Sequence, residues 1–308
     1  MNGFPRFVAA GEALTDLLKT GGDTWSSQVG GSTWNVARVV ARLGMPSAFA
    51  GAVSRDVFGQ ALTDASAQAG LDLRFLQQLD RSPLLAVVHE LDPPQYFFVG
   101  DDSADLHFDP NLLPDGWQRY VTYVHFGGIS LARQPLADRL LDMATLLKRE
   151  GVAISYDPNF RTLMDAKYDL TLQRMAALAD VIKVSDEDLH GLFRCADAEH
   201  AFGLLRSMNP EAIYLYTQGA KGAWLYKGQD AWQAPAPAVE VVDTVGAGDA
   251  SIGALIHSLS SSPSRDGGEH LRFAVAAGAA ACMKTGASPP LVEEVEELAE
   301  QIVVTRQR

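Results

Sequence analysis

A carboxylate set among glycines, in the run Asp243-Thr244-Val245-Gly246-Ala247-Gly248-Asp249-Ala250-Ser251, is the part of this sequence best suited to chemistry. Glycine admits positive φ at little cost and lets a backbone approach a ligand closely. Ala250, Ile252, Ala254, Leu255, Ile256 and Leu259 predict a helix starting here. The N–H groups of residues 246 to 249 then have no intrahelical acceptors and can cradle phosphate oxygens. Asp249 would repel a bound phosphate unless it holds a hydroxyl that attacks it. Taken alone, the same pattern also describes an Asp capping a helix after a packing turn.

More polar groups stand where apolar runs end. Asp16 comes soon after Phe7 to Ala10, Asp157-Pro158-Asn159-Phe160-Arg161 follows Tyr156, and Lys183 to Asp188 and Thr217-Gln218-Gly219-Ala220-Lys221-Gly222 end two later runs. A neutral polyol needs such a lining, because each bound hydroxyl exchanges water for a placed donor or acceptor. Asn159 can donate and accept, and Arg161 offers a fork of donors. Asp157-Pro158-Asn159 also reads as a loop starter, and Thr217 to Gly222 as a hairpin turn. Near the N-terminus, Gly30-Gly31-Ser32-Thr33-Trp34-Asn35 opens a helix with Val36, Val39, Val40 and Leu43 on one face. Ser32 reads as its N-cap, Gly44 as its C′ residue, and Pro46 forbids continuation. Asn35 falls on the face of Arg38 and Arg42, where it also suits a solvated first turn.

The elements that must hold these groups alternate. Val239, Val241 and Val242 read as the end of a buried strand feeding the glycine turn. Strands are expected at Phe7 to Ala10, Ala48 to Val53, Tyr120 to Phe126, Val152 to Tyr156, Val181 to Val184, Ala212 to Thr217 and Ala223 to Tyr226. Helices are expected at Phe58 to Ala69, Leu136 to Arg149, Leu170 to Leu178, Ala198 to Ser207 and Leu271 to Met283. This is an α/β pattern with a mostly parallel sheet covered on both faces, and ligands bind beyond the carboxyl ends of such strands. Two hairpins interrupt it, one turning at Gly21-Gly22-Asp23 and one at Asp92-Pro93-Pro94. They predict a small β-sheet lid built from segments at about 12–30 and 83–105, inserted in a single domain over residues 1–308.

The 308 residues carry a net charge of −13, with 47% hydrophobic and 20% charged residues. That composition suits one large globular domain and disfavours nucleic acid or an anionic membrane as partner. Cys195 and Cys282 lack the number and spacing for a disulfide framework or a metal site, which fits a reducing cytoplasm. Glu12 and Asp16 come too early for the apolar core of a signal peptide. No Gly-Lys-Ser/Thr occurs, and the 246-to-251 turn lacks the third glycine of a dinucleotide fingerprint.

Together these motifs resemble the ribokinase or PfkB family of carbohydrate kinases, over nearly the whole chain. Gly30-Gly31 with Asn35-Val36-Ala37 is similar to its N-terminal sugar-binding signature, and Asp243 to Ala250 to its C-terminal one. The resemblance implies a three-layer ribokinase-like fold and ATP-dependent, Mg²⁺-assisted phosphorylation of a sugar hydroxyl. Asp249 would be the base, with Gly246, Ala247 and Gly248 as anion hole. Sugar contacts carry over to Asp16, Gly30, Gly31, Asn35, Asn159 and Arg161, and nucleotide contacts to Lys183, Thr217, Gly219, Gly222 and Val275. In some members a monovalent cation such as K⁺ sits beside the anion hole, which here involves the carbonyls of Asp243, Val245 and Gly286.

The family's Asn-x-x-Glu element, linked to Mg²⁺ through water, appears as Ser185-Asp186-Glu187-Asp188, keeping a carboxylate in Asp188 and losing the amide. Val275 replaces a polar residue near the base, and Ser251 a bulky aromatic. Gly11-Glu12-Ala13, His125 to Leu131, Asp157 to Arg161 and Val184 to Glu187 look like fructokinase segments. The runner-up is a 2-keto-3-deoxygluconate kinase, whose acidic substrate Arg161 could meet, followed by ribose or nucleoside kinases. A sugar-binding regulatory protein without turnover is the non-enzymatic alternative. Family members often dimerise through the lid, so a homodimer is a further expectation. Mechanistically, the start of the helix is expected to favour the ionised form of Asp249.

Overall fold

The computed structural model describes residues 3–91 and 94–307. The chain begins with β1 (Phe7–Ala10), β2 (Leu14–Gly21), β3 (Thr24–Gly30), α1 (Ser32–Arg42), β4 (Ser47–Ser54), α2 (Val57–Gln68) and β5 (Leu76–Leu79). It continues with β6 (Leu85–Leu91), β7 (Pro94–Val99), β8 (Tyr123–Gly127), α3 (Leu136–Arg149), β9 (Ala153–Asp157), α4 (Asp169–Leu178) and β10 (Val181–Ser185). The remainder holds α5 (Asp186–Phe193), α6 (Ala198–Met208), β11 (Ile213–Thr217), β12 (Ala223–Lys227), β13 (Asp230–Ala234), α7 (Ala247–Ser261), α8 (Gly267–Cys282), α9 (Val292–Glu300) and β14 (Thr305–Gln307).

A ten-stranded sheet runs in the order β14-β13-β12-β11-β10-β9-β8-β1-β4-β5. Neighbours from β5 to β11 are parallel, and those from β11 to β14 antiparallel. Strand β1 shows why the chain must sandwich this sheet. All four of its residues are buried, with Phe7 and Ala9 in one core cluster and Val8 and Ala10 in the other. Successive side chains point to opposite faces, so both faces need a helical layer. Leu140 of α3 and Leu172 of α4 cover one face. Val36 of α1, Ile252 of α7 and Ala274 of α8 cover the other.

The smaller sheet has the order β3-β2-β6-β7. Its two hairpins are antiparallel, and β2 joins β6 in parallel. Asp92 and Pro93, expected at the second turn, lie outside the described residues. This sheet leaves Trp25, Phe97 and Val99 about half exposed.

Several elements depart from expectation. Val239 to Val242 form no strand, and Val241 and Val242 are exposed. Pro235 and Pro237 supply no N–H to a ladder, so the chain leaves the sheet after β13. It is caught again where the N–H groups of Val242 and Asp243 both donate to the Cys282 carbonyl, at 2.9 and 3.2 Å. Strand β8 starts at Tyr123 rather than Tyr120 because Trp117–Arg119 forms a 3₁₀ turn. Helix α1 begins at Ser32 itself, with Gly31 in the cap position and no side-chain cap. The carboxyl ends of β1, β8, β9, β10 and β11 then lie side by side, and the polar residues gather there.

Candidate active site

Asp249 lies in the first turn of α7, with its side chain held by α1. Ser32 Oγ donates to Asp249 Oδ1 at 2.7 Å, and Asn35 Nδ2 donates to Oδ2 at 2.9 Å. A carboxylate only accepts, so the Asn35 amide must present its nitrogen to it. Its oxygen, Oδ1, is buried and has no hydrogen-bond partner among the described residues. Asn35 is therefore not on a solvated face but buried against α7. Ser32, read from sequence as a cap, is instead a ligand of the carboxylate. Burial pushes the Asp249 carboxyl above its usual range, against the Ser32 and Asn35 hydrogen bonds and the Lys183 and Arg161 charges. Desolvation thus acts against the ionised form that the helix start was expected to favour.

The backbone before Asp249 forms the glycine turn. Gly246 has φ 81°, and a Cβ there would lie 2.8 Å from Ala287 Cα, so only glycine fits. The N–H groups of Gly246, Gly248 and Asp249 have no acceptor among the described residues. That of Ala247 donates to the Thr244 carbonyl at 3.2 Å, which makes the expected fourth donor a shared one.

Beneath the turn, Lys183 from β10 is buried, its Nζ 3.1 Å from where a Gly248 Cβ would stand. It pairs with Asp157 Oδ2 at 3.1 Å and Asp188 Oδ2 at 3.5 Å. Burial works against the ammonium, yet the two carboxylates raise its pKa above the ordinary lysine value. Burial pushes Asp157 up to about 7 although Lys183 opposes it. Burial also pushes on Asp188, but Lys183 and the hydrogen bonds around it hold it below the usual value. Asp188 Oδ1 accepts from Phe160 N–H and Oδ2 from Ser185 N–H, both at 2.8 Å, and the latter bond closes a capping box on α5.

With both oxygens so engaged, the expected link from Asp188 to Mg²⁺ through water would use the lone pairs that these bonds leave free. Among the described residues no group of three or more His, Cys, Asp or Glu side chains could hold a metal ion. The side chains do not fit a magnesium site of their own. The monovalent-cation residues fare differently. Asp243 Oδ1 accepts from Val245 N–H at 3.0 Å and Oδ2 from Gly286 N–H at 2.8 Å, which draws the three together. The Asp243 and Val245 carbonyls accept no hydrogen bond among the described residues, while that of Gly286 accepts from Ser288 N–H at 2.7 Å. Two open carbonyls and one shared one fit a weakly bound cation.

Asp16 lies in β2, beside the strand β3 that ends at Gly30. A Cβ on Gly30 would lie 2.5 Å from its Oδ2, and one on Gly31, at φ 112°, would lie 2.7 Å from the Glu12 carbonyl. Asn159 takes a left-handed φ of 46°, its N–H bound by Asp157 Oδ1 at 3.0 Å. Arg161 donates to Asn159 Oδ1 and to the Phe160 carbonyl, both at 2.7 Å. Its charge also reaches Asp16 and Asp249, and against it burial still pushes Asp16 up to about 6. Six residues from four chain segments, namely Asp16, Gly30, Asn35, Asn159, Arg161 and Asp249, thus surround one polar region.

The remaining expected residues are not tied to this cluster by any hydrogen bond or ion pair among the described residues. Thr217 Oγ1 donates to the Val184 carbonyl at 3.3 Å. Gly219, at φ 54°, has open space around it. A Cβ on Gly222 would strike the Ala234 carbonyl, so β13 requires that glycine whatever binds nearby. Val275 is buried in the core of α8. A surface cleft of about 500 Å³ beside α3, lined by Trp117, Arg139 and Leu146 among others, shares no residue with the cluster. Sequence reasoning missed Ser32 and Asp157 as site residues. Both had a local signal, Ser32 between two glycines and Asn35 and Asp157 at the end of an apolar run, but their partners lie 217 and 26 positions away.

The family model described as "pfkB family carbohydrate kinase" matches residues 7–294. A fructokinase of Klebsiella pneumoniae is 33% identical over 265 residues, covering 84% of this chain and 85% of its own length. An aminoimidazole riboside kinase of Salmonella typhimurium is 32% identical over 257 residues, covering 81% of this chain and 79% of its own. The crystal structure of a fructokinase with bound ATP from Xylella fastidiosa superposes with a TM-score of 0.87 at 28% identity, covering 96% of this chain and 99% of that one. Among the described residues no helix is long and apolar enough to cross a membrane.

Proposed function

The chain belongs to the pfkB family of carbohydrate kinases, and from that premise we propose that it transfers the γ-phosphoryl group of ATP to a hydroxyl of fructose. The observation that carries this reading is the Asp249 carboxylate, held by Ser32 and Asn35 at the start of α7 beside three open amides and within reach of the Arg161 charge. In this reading the acceptor hydroxyl donates its proton to Asp249 as its oxygen bonds to phosphorus. The bond from phosphorus to the bridging oxygen breaks, and its electron pair leaves with ADP. Gly246, Ala247 and Gly248 are the anion hole, the open N–H groups of Gly246 and Gly248 and the shared one of Ala247 donating to the oxygens of the transferring phosphoryl. Mg²⁺, when bound, offsets phosphate charge, and the nucleotide with water must supply its ligands.

Asn35 Oδ1, Asp16, Asn159 and Arg161 are proposed to take the sugar hydroxyls, with the backbone at Gly30 and Gly31 leaving room. Lys183, Thr217, Gly219, Gly222 and Val275 are proposed for the nucleotide, Lys183 acting from beneath the turn. The Asp243 and Val245 carbonyls would hold K⁺ if a cation is used. A neutral sugar suits the pocket better than 2-keto-3-deoxygluconate, because the Arg161 charge is already faced by Asp16, beside which a substrate carboxylate would be repelled. A second reading, aminoimidazole riboside, is favoured by a relative of that name at nearly the same identity as the fructokinase. ADP release measured across fructose, aminoimidazole riboside, 2-keto-3-deoxygluconate, ribose and adenosine decides between them. Highest kcat/KM with fructose is expected. A higher value with any other acceptor overturns the substrate, and sugar binding with no ADP release overturns the activity.

The half-exposed Trp25, Phe97 and Val99 support dimerisation through the small sheet. Light scattering at low micromolar protein should give twice the chain mass, and monomer mass alone would rule this out.

A further inference from the structure

Among the described residues Ser32 is the one hydroxyl bonded to the Asp249 carboxylate. It is buried, as is Asp249, and 217 positions separate the two residues. The first residue of α1 is free to point at α7 because Gly31, not Ser32, occupies the cap position.

We infer that Ser32 is a positioning residue for the base, a hydroxyl that donates to Asp249 while it is ionised and accepts from it once it has taken the substrate proton. The inference rests on the assignment of Asp249 as base. Its physical ground is the contrast between the two groups that hold the carboxylate. The Asn35 nitrogen can only donate, so it favours the ionised form and opposes protonation. A hydroxyl carries one proton and two lone pairs and can turn about its C–O bond, so it can serve both protonation states. Ser32 keeps its own proton throughout. The proton from the sugar hydroxyl ends on Asp249, and only the direction of the Ser32 hydrogen bond reverses. The charged and titratable groups facing Asp249 are Lys183 from β10, Arg161 from the loop after β9, and Asp157 from the end of β9. From α1 the carboxylate receives only the neutral Ser32 and Asn35. Among the described residues hydrogen-bonded to the Asp249 carboxylate, Ser32 alone can reverse its bond.

The test compares wild type, Ser32→Ala, Ser32→Thr, Ser32→Cys and Asp249→Asn by steady-state kinetics over pH 5 to 9, with thermal melting as a folding check. Ser32→Ala should lower kcat by about tenfold, as expected for a lost hydrogen bond to a charged group. Because the bond Ser32 donates to the charged carboxylate is stronger than the one it accepts from the protonated form, the acid limb of the pH profile should also move upward by about half a unit to one unit, with sugar KM within about twofold. Ser32→Thr keeps the hydroxyl and should restore both. Ser32→Cys keeps the volume with a weaker donor and should shift both in the direction of alanine, which preserves the test if alanine fails to fold. An unmoved acid limb in both Ser32→Ala and Ser32→Cys, or a loss confined to sugar KM, overturns the inference. Turnover retained in Asp249→Asn would instead sink the base assignment, so the two failures are told apart.

Discussion

Two buried acidic clusters meet at the start of α7, and they are held in opposite ways. Asp249 is gripped by two neutral donors, Ser32 and Asn35, with cations only in its surroundings. Asp157 and Asp188 instead share a buried ammonium, Lys183, and Asp188 spends both oxygens on backbone amides as well. The first arrangement leaves a carboxyl able to gain and lose a proton. The second holds Lys183 and Asp188 in their charged forms and ties β9, β10 and α5 together under the glycine turn. Residue type alone does not separate these roles, and the partners do.

The contrast can be broken most forcefully at Lys183. Lys183→Met leaves two buried carboxylates without their cation and should destabilise the fold by about 3–5 kcal/mol, read by denaturant unfolding. A variant that unfolds like wild type would show that the cluster bears no structural charge. Asp249→Asn should do the reverse, lowering kcat by about 10²-fold or more while the unfolding midpoint stays in place. Near-normal turnover would refute its role as base.

Glu12 offers a third case, a buried carboxyl with no ion pair among the described residues. It accepts from Ser130 Oγ and N–H, and burial pushes it up to about 7 despite those bonds. Its folded pKa exceeds the unfolded value, so the stability it contributes is full below about 4.5 and is lost as pH rises through about 7. Glu12→Gln should therefore gain on wild type by about 2 kcal/mol between pH 5 and pH 8. A pH-independent difference between the two proteins would count against the buried charge. The smallest effect expected is at Asp16. Since its carboxyl titrates near 6, sugar KM should rise by about tenfold as pH falls from 7 to 5, with nucleotide KM steady. Equal rises in both would place Asp16 outside the sugar pocket.

The alternation of β1 and the apolar stripe of α1 were legible because the two-residue and 3.6-residue periods are local. The glycine turn was legible because φ and close approach restrict residue type at Gly246. Val239 to Val242 misled because β-branched residues suggest a strand whether or not a neighbour can pair with it, and Pro235 and Pro237 had more weight than the valines. Helix α5 was missed because Ser185 to Asp188 drew attention as a motif, although its Ser and Asp form an ordinary capping box. Ser32 was misread as a cap for the same local reason. Its actual partner lies on another helix, a contact that no short window of sequence contains.

Gly31 is the single residue between the end of β3 and the first residue of α1, and its φ of 112° and the nearby Glu12 carbonyl exclude any side chain there. The small sheet that carries Asp16 and the helix that carries Ser32 and Asn35 are thus joined by one peptide link on either side of a glycine. With no slack at that junction, the placement of the small sheet and the placement of the donors of Asp249 are fixed by the same residue.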